Sequence, residues 1–271
     1  MLPSLEPLGA ASDLTYLMAL VLFGAGVAAG VCNALAGGGT LISFPVFLAC
    51  GLPPVVANAS NAVAVWPGHA LASIGYRREL QRFSGELLPA SLTAVAGGSA
   101  GALLLTFIGN AAFVKLIPIL LAAATALFAF GPSMQRWLAG RFAPQSGLKH
   151  IGPVGHVGIL VFSLYGGFFG AGLGVMLMAG LLLLGVHDTQ HNNALKNLLA
   201  TAVTSIAVVV LAGSGLIAWP QTLVAFAGAL VGGLWGSRLA RLLSPAHLRA
   251  IIIALGTVLS LYFAHKYYRS I

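Results

Sequence analysis

The chain has 271 residues, of which 59% are hydrophobic and only 7% are charged, and its mean hydropathy is +0.97. A water-soluble domain of this length would expose far more charge, so the composition excludes one and indicates a polytopic helical membrane protein. The strands of a membrane barrel would alternate polar and apolar residues over about ten positions, and the sequence has no such segments.

The net charge of +8 is concentrated in a few loops. Of the 13 Lys and Arg residues, three short segments contain nine: Arg77, Arg78, Arg82, Arg136, Arg141, Lys149, Arg238, Arg241 and Arg249. This is the positive-inside pattern of cytoplasmic loops, and it argues against nucleic acid as a partner. The two cysteines lie in no CxxC or Cys/His grouping, so we expect neither a metal site nor a cofactor.

Apolar segments follow one another along the whole chain. In order they cover residues 14–35, 41–50, 55–74, 87–108, 112–130, 154–169, 173–186, 194–211, 221–235 and 247–264. The second and seventh are too short to cross a hydrocarbon core of about 30 Å, because a helix rises only about 1.5 Å per residue. Each of these two follows a glycine-rich break, at Gly37–Gly39 and at Gly170–Gly174.

The two short segments belong to an internal repeat. Each copy has a glycine break, a short apolar segment, a turn with glycine (Gly51 or Gly185), a helix that begins with asparagines, and then further spans. We predict an all-α polytopic membrane protein with two repeats, each a broken or re-entrant helix followed by three transmembrane helices. The predicted first repeat is residues 1–130 with its broken helix at about 14–50, the cytoplasmic linker is 131–152, and the second repeat is 153–271 with its broken helix at about 154–186.

The loop charges orient the two repeats. If the Arg77–Arg82 loop is cytoplasmic, the first broken segment starts and ends outside, whereas the second starts and ends inside. The repeats are therefore predicted to have inverted topology, as in many secondary transporters. Glu6 and Asp13, without a neighbouring cation, agree with an N-terminus outside. Lys266 and Arg269, at a predicted outer C-terminus, are a mild exception.

A break in a membrane helix needs a physical reason. Non-helical backbone at membrane depth is tolerated where it lines a cavity or is buried in protein. A break also creates a helix N-terminus whose N–H groups favour an anion. We expect the two breaks to converge near the midplane as a site for a negatively charged substrate. The glycines at Gly97–Gly101 and Gly228–Gly236 are instead interpreted as helix-packing positions.

The first repeat carries a specific motif. Its parts are Gly37-Gly38-Gly39, Pro45, Gly51-Leu52-Pro53-Pro54 and Ala57-Asn58-Ala59-Ser60-Asn61, with a degenerate copy from Gly170 onward. With this motif the chain resembles the TauE/SafE family of sulfite and organosulfonate exporters (the 4-toluene sulfonate uptake permease family) over roughly residues 20–265. The resemblance implies a transporter of small anions in a bacterial-type inner membrane.

Lys196 lies just inside a predicted helix, unlike the loop cations. A lysine within the membrane costs at least about 2.5–3.5 kcal/mol on insertion scales, so it normally needs a partner. Asn193, Lys196 and Asn197 fall near one helical face with Thr201 and Thr204, and such donors suit an oxyanion. Alternatively, Lys196 snorkels to the cytoplasmic interface. Both interpretations stay open.

Polar residues of the first repeat complete the predicted site. Aligning the repeats places Ser60 opposite Lys196 and Asn61 opposite Asn197, although hydrogen bonding between helices is an alternative role for these side chains. His69 could carry a coupled proton or be a neutral packed residue. The predicted substrate-binding residues are Gly38, Gly39, Thr40, Asn58, Ser60, Asn61, Gly172, Gly174, Asn193, Lys196 and Asn197.

Two other residues of the first break have predicted roles. Thr40, together with Ser43, could cap the first broken helix, and Asn33 could satisfy the backbone groups that the break frees.

The predicted function is secondary transport. The chain has no Walker A sequence for ATP-driven transport, and Gly213-Ser214-Gly215 lacks the partners of a catalytic serine, so we predict that it is not an enzyme. An anion leaving a negatively charged cell gains about 2.3 kcal/mol per 100 mV, which favours export by alternating access. Import of another anion such as a carboxylate, coupled to protons, is the alternative, and an intramembrane enzyme is a remote one. The expected partners are a small anion and the bilayer, and a homo-oligomer stays open.

Overall fold

The structure is a computed structural model of the chain, and it describes residues 14–35, 38–141, 151–239 and 245–268. Its helices are α1 (Tyr16–Leu35), α2 (Thr40–Ala49), α3 (Pro54–Gly75), α4 (Arg77–Leu80), α5 (Ser84–Arg141), α6 (Pro153–Phe168), α7 (Leu173–Leu183), α8 (Thr189–Gly213), α9 (Trp219–Leu239) and α10 (Pro245–Tyr268), with a 3-10 turn at Gln81–Phe83. Residues used above that lie outside the described part are Glu6, Asp13, Gly37, Lys149, Arg241 and Arg269.

Several helices are long and apolar enough to cross a membrane. These stretches are Tyr16–Asn33, Arg77–Gly140, Thr189–Gly213 and Arg249–Tyr267. Large apolar side chains on the outside of the bundle, such as Tyr16, Phe107 and Val154, are 83–94% exposed, which suits contact with lipid. The chain is therefore a multi-pass, all-α membrane protein, as predicted.

The long helix α5 contains two spans. They join at Gly109, whose φ of 68° and ψ of 158° are not helical, so residues 84–108 and 110–141 form two helices across a kink. The second of these continues to Arg141. The first part of the segment expected to be a hydrophilic linker is therefore helical, and residues 142–150 lie outside the described part.

Gly51 and Gly185 end the two short helices, α2 and α7, in the same way. Both have a left-handed backbone, with φ of +83° and +89°, which favours glycine. The amide after each glycine donates to the carbonyl five residues earlier, at 3.4 Å after α2 and 2.9 Å after α7. Each glycine amide donates to the carbonyl three residues earlier. These are the two hydrogen bonds of the Schellman motif.

Contacts between the turns that join helices show which elements lie at one end of the bundle. The Val55 N–H at the start of α3 donates to Asn110 Oδ1, beside the kink in α5, at 2.9 Å. The last turns of α10 lie beside the α2–α3 turn. The α2–α3 turn, the kink at Gly109 and the C-terminal end of α10 are therefore at the same end.

The opposite end is defined in the same way. The Ile151 N–H, before α6, donates to Glu86 Oε2 at the start of α5, at 3.0 Å. The ring of Phe83 packs edge-on against His191 at the start of α8, with 5.8 Å between centroids. Because the α7–α8 turn lies at this end and the α2–α3 turn at the other, α2 and α7 run from the interior toward opposite ends.

Glycines allow the closest helix contacts. A β-carbon added at Gly26 or Gly30 of α1 would collide with the α9 backbone, and one at Gly228 or Gly232 of α9 would collide with α1. The α5–α6 contact has the same construction, because β-carbons added at Gly97 and Gly101 would collide with the α6 backbone. The interpretation of Gly97, Gly101, Gly228 and Gly232 as packing positions is confirmed.

Candidate functional site

The first break separates α1 from α2 and is closed by Asn33. Its side-chain Oδ1 accepts the backbone N–H groups of Gly38 at 3.0 Å and Gly39 at 2.8 Å. The expectation that Asn33 satisfies freed backbone groups is confirmed. The predicted anion donors Gly38 and Gly39 consequently have their amides engaged within the protein. The remaining group of this side chain is Asn33 Nδ2, which is buried and has no hydrogen-bond partner among the described residues.

The start of α2 has no side-chain cap. Gly39 is the N-cap residue, so the capping role expected for Thr40 is wrong, although Thr40 is buried there. Ser43 Oγ contacts both Gly39 O, at 3.0 Å, and the side-chain oxygen of Asn61. One hydroxyl proton cannot serve two oxygens. The contacts are satisfied best with Asn61 Nδ2 turned toward Ser43, because the two ends of an amide are assigned from their hydrogen bonds.

The second break separates α6 from α7 and requires glycine. Gly170 and Gly172 have φ of +79° and +82°, a backbone that side chains disfavour. The Tyr165 hydroxyl donates to Ala171 O at 2.7 Å, a contact that was not predicted from the sequence. At the second break a side chain therefore hydrogen-bonds a backbone carbonyl, whereas at the first break a side chain hydrogen-bonds backbone amides. Gly172 and Gly174 stand at the start of α7, where the dipole favours an anion.

Asn58 connects α3 to the second break. Its Nδ2 donates to Phe168 O, the last carbonyl of α6, at 2.8 Å. This contact fixes which end of the amide faces α6, and it leaves Asn58 Oδ1 buried without a partner in the described part of the chain. Asn58 thus supports the broken helix of the second half from within the first.

The two breaks lie close together in the interior. Phe44 on α2 packs edge-on against Phe169 in the second break, with 5.4 Å between ring centroids. A β-carbon added at Gly38 would collide with the ring of Phe128, and one at Gly172 would lie 3.3 Å from Leu127. Both breaks therefore pack against the same turn of α5, and their predicted role as a substrate site near the midplane stays a prediction.

An arginine supports this turn of α5. Pro132 has no N–H, so it cannot pair with Phe128 O four residues earlier. Arg249 on α10 fills the gap: its Nε donates to Phe128 O at 2.9 Å, and its guanidinium also contacts Ala129 O. From the charge pattern alone, Arg249 is predicted to be a loop cation. The signal for its role is the proline four residues after Phe128.

Lys196 is the only charged side chain that is buried in the described part of the chain, with 5% of its surface exposed. It lies in the third turn of α8, about 10 Å from the start of the helix. Among the described residues, none forms a hydrogen bond or an ion pair with its amine. A buried charge without a partner is costly. Both interpretations of Lys196, contact with a ligand and snorkelling, stay predictions.

His69 on α3 faces the same part of α8. Its backbone carbonyl accepts a hydrogen bond from Thr201 Oγ1 at 2.9 Å. Thr201 lies five residues after Lys196 on the same helix. The proton-coupling role of His69 stays a prediction.

The remaining predicted residues divide into two groups. Ser60 Oγ accepts the Ala218 N–H at 2.9 Å, so its hydroxyl oxygen supports the start of α9. Asn197 is buried next to Lys196 in the sequence, whereas Asn193 is only partly buried. Asn197 is the better placed of the two for contact with a ligand in the interior.

An all-α bundle with interrupted helices that meet in its interior is typical of secondary membrane transporters. The chain belongs to the sulfite exporter TauE/SafE family, which matches residues 22–263. The resemblance noted from the glycine and asparagine motif is thereby confirmed. The protein is a membrane transporter and not an enzyme.

Proteins similar to this chain are described as probable membrane transporters. The chain is 29% identical to the probable membrane transporter protein YfcA of Escherichia coli K12 over 256 residues, or 90% of each protein. It is 27% identical to a probable membrane transporter protein of Haemophilus influenzae over 245 residues, 89% of this chain and 92% of that protein. No solved structure matches it.

Proposed function

We propose that this protein exports a small sulfur-containing anion, sulfite or an organosulfonate, by alternating access. The observation that carries the proposal is Lys196, a buried cation that has no hydrogen-bond or ion-pair partner among the described residues. A protein retains such a group at a cost, and an oxyanion with charge-assisted hydrogen bonds would offset it. In this proposal, Asn33 Nδ2 and the start of α7 supply further donors to the anion.

Inverted repeats supply the alternating movement in this proposal. Helices α1–α2 correspond to α6–α7, and each pair is followed by the same Schellman turn. The packing is also reciprocal, because α1 packs on α9 of the other half while α6 packs on the corresponding first span of α5. Rocking of the halves would expose the interior to each side in turn.

The orientation follows from the loop cations. The end with Arg77, Arg78 and Arg82 is cytoplasmic by the positive-inside rule, so the N-terminus and the α2–α3 turn face outward. An anion that leaves such a cell moves down the electrical gradient, at about 2.3 kcal/mol per charge and 100 mV. Export therefore needs no further coupling.

Efflux from proteoliposomes tests this function. Vesicles are loaded with radiolabelled sulfite, and a potassium gradient with valinomycin sets the potential. We expect efflux to accelerate when the interior is negative, with competition by methanesulfonate and little by acetate. Efflux that responds to a pH gradient but not to the potential would contradict uniport. It would instead favour proton coupling, for which His69 on α3 is the candidate group.

A further inference from the structure

A cavity of about 730 Å³ lies between the α2–α3 turn and the last turns of α10. It is at the end of the bundle opposite to Arg77–Arg82, and it is separate from the two breaks. The wall on the α2 side is apolar, with Leu48, Leu52 and prolines. The wall on the α10 side adds aromatic rings and one cation, Lys266. We call this cavity the α2–α10 groove.

Aromatic rings position Lys266 at the groove. Its Nζ lies 5.9 Å from the ring centroid of Tyr262 and 5.6 Å from that of Tyr267, within the range of a cation–π contact. Its place in the last turn of a helix is also favourable for a cation. The tyrosines stand where the candidate span Arg249–Tyr267 ends, a position typical of residues at the membrane interface.

An apolar wall next to a single cation fits a lipid better than a free anion. Most of the groove is lined by apolar side chains, with which a small free anion gains no favourable contact. An acyl chain gains from the apolar wall, about 0.8 kcal/mol for each CH₂ group that leaves water. A phosphate placed beyond the helix end can pair with the lysine from the headgroup layer.

We infer that the α2–α10 groove binds a phospholipid with an anionic headgroup, its phosphate at Lys266 and an acyl chain against Leu48 and Leu52. The α2–α3 turn is the tip of the short helix that follows the first break. A lipid in the groove would therefore connect this tip to α10. The inference concerns lipid binding and stands independently of the transported anion.

Lipid retention by the purified full-length protein tests the inference. Native mass spectrometry would compare phosphatidylglycerol and phosphatidylcholine with identical acyl chains. We expect phosphatidylglycerol to be retained several-fold better. Lys266→Gln should abolish the preference, whereas the control Lys115→Gln, which changes an exposed lysine outside the groove, should preserve it.

A second variant tests the acyl-chain contact. Ala49 is exposed and lines the groove, so Ala49→Trp should fill the space and reduce retention of both lipids. Equal retention of the two lipids by the wild type, or an unchanged preference in a folded Lys266→Gln protein, would overturn the inference. So would competition by glycerol 3-phosphate as effective as that by the lipid, because the headgroup alone would then suffice.

Discussion

Asn33 and Asn58 each use one end of the side-chain amide at a helix break and leave the other end buried. Asn33 offers a donor, Nδ2, and Asn58 an acceptor, Oδ1. A buried polar group without a partner costs about 1–3 kcal/mol, so such groups normally meet water or a ligand. Among the described residues of the first break, the donor without a partner is therefore on the Asn33 side chain and not on the backbone of Gly38 or Gly39.

An isosteric change at Asn33 separates the two roles of this residue. Asn33→Asp keeps an oxygen for the amides of Gly38 and Gly39 but replaces the unpaired donor with an acceptor. We expect a folded protein with sulfite affinity reduced at least about tenfold, the loss of a hydrogen bond to a charged group. Thermal melting and isothermal titration calorimetry measure the two effects. Wild-type affinity in this variant would show that Asn33 does not reach the anion.

The short helices α2 and α7 depend on left-handed glycines at their ends. A β-carbon added at Gly185 would have no atom within 4 Å, so there is space for alanine. The φ of Gly185, however, is +89°. We expect Gly185→Ala to reduce the free energy of unfolding by about 1–2 kcal/mol because of this backbone conformation. Gly158→Ala in α6 has the same space without the positive φ and should be neutral or stabilising by up to about 1 kcal/mol. Equal changes in the free energy of unfolding of the two variants, measured by chemical denaturation, would contradict the role given to the left-handed backbone at Gly185.

Helix α8, which carries Lys196, begins with a side-chain cap. Asp188, in the turn before the helix, accepts the His191 N–H at 2.9 Å, and this hydrogen bond lowers the pKa of Asp188 below its ordinary value. A lowered pKa means that the ionised carboxylate stabilises the folded state above its unfolded-state pKa. This contribution is lost as the pH falls through the folded-state pKa.

We therefore expect Asp188→Ala to lower the melting temperature at neutral pH. Asp188→Asn should lower it less, because asparagine is also a good cap. The difference between wild type and Asp188→Ala should narrow in acid. Melting curves at neutral and acidic pH measure this effect, and a difference that stays constant between them would show that ionisation of Asp188 contributes nothing.

The positions of the breaks and turns could be predicted from the sequence, because glycine adopts backbone conformations that other residues disfavour. The runs at Gly37–Gly39 and Gly170–Gly174 interrupt apolar segments that are otherwise continuous, and both interruptions are present. The partners of the freed backbone groups could not be predicted. They depend on side-chain directions, as for Asn33 and Tyr165, or on residues far along the chain, as for Asn58 with Phe168.

At the scale of the whole molecule, the opposed directions of α2 and α7 bring two broken helices into one interior. Phe44 and Phe169 join the breaks, and Asn58 connects the halves. Lys196 is the one buried charge among the described residues.

Sulfite binding by Lys196→Gln is the most direct test of this account. Isothermal titration calorimetry on the purified protein should give an affinity at least about tenfold weaker than that of the wild type, while Lys115→Gln should bind as the wild type does. Because the substitution removes an unpaired buried charge, the ligand-free variant should melt at the same or a higher temperature. A folded Lys196→Gln protein that binds sulfite with wild-type affinity would contradict the proposed anion site.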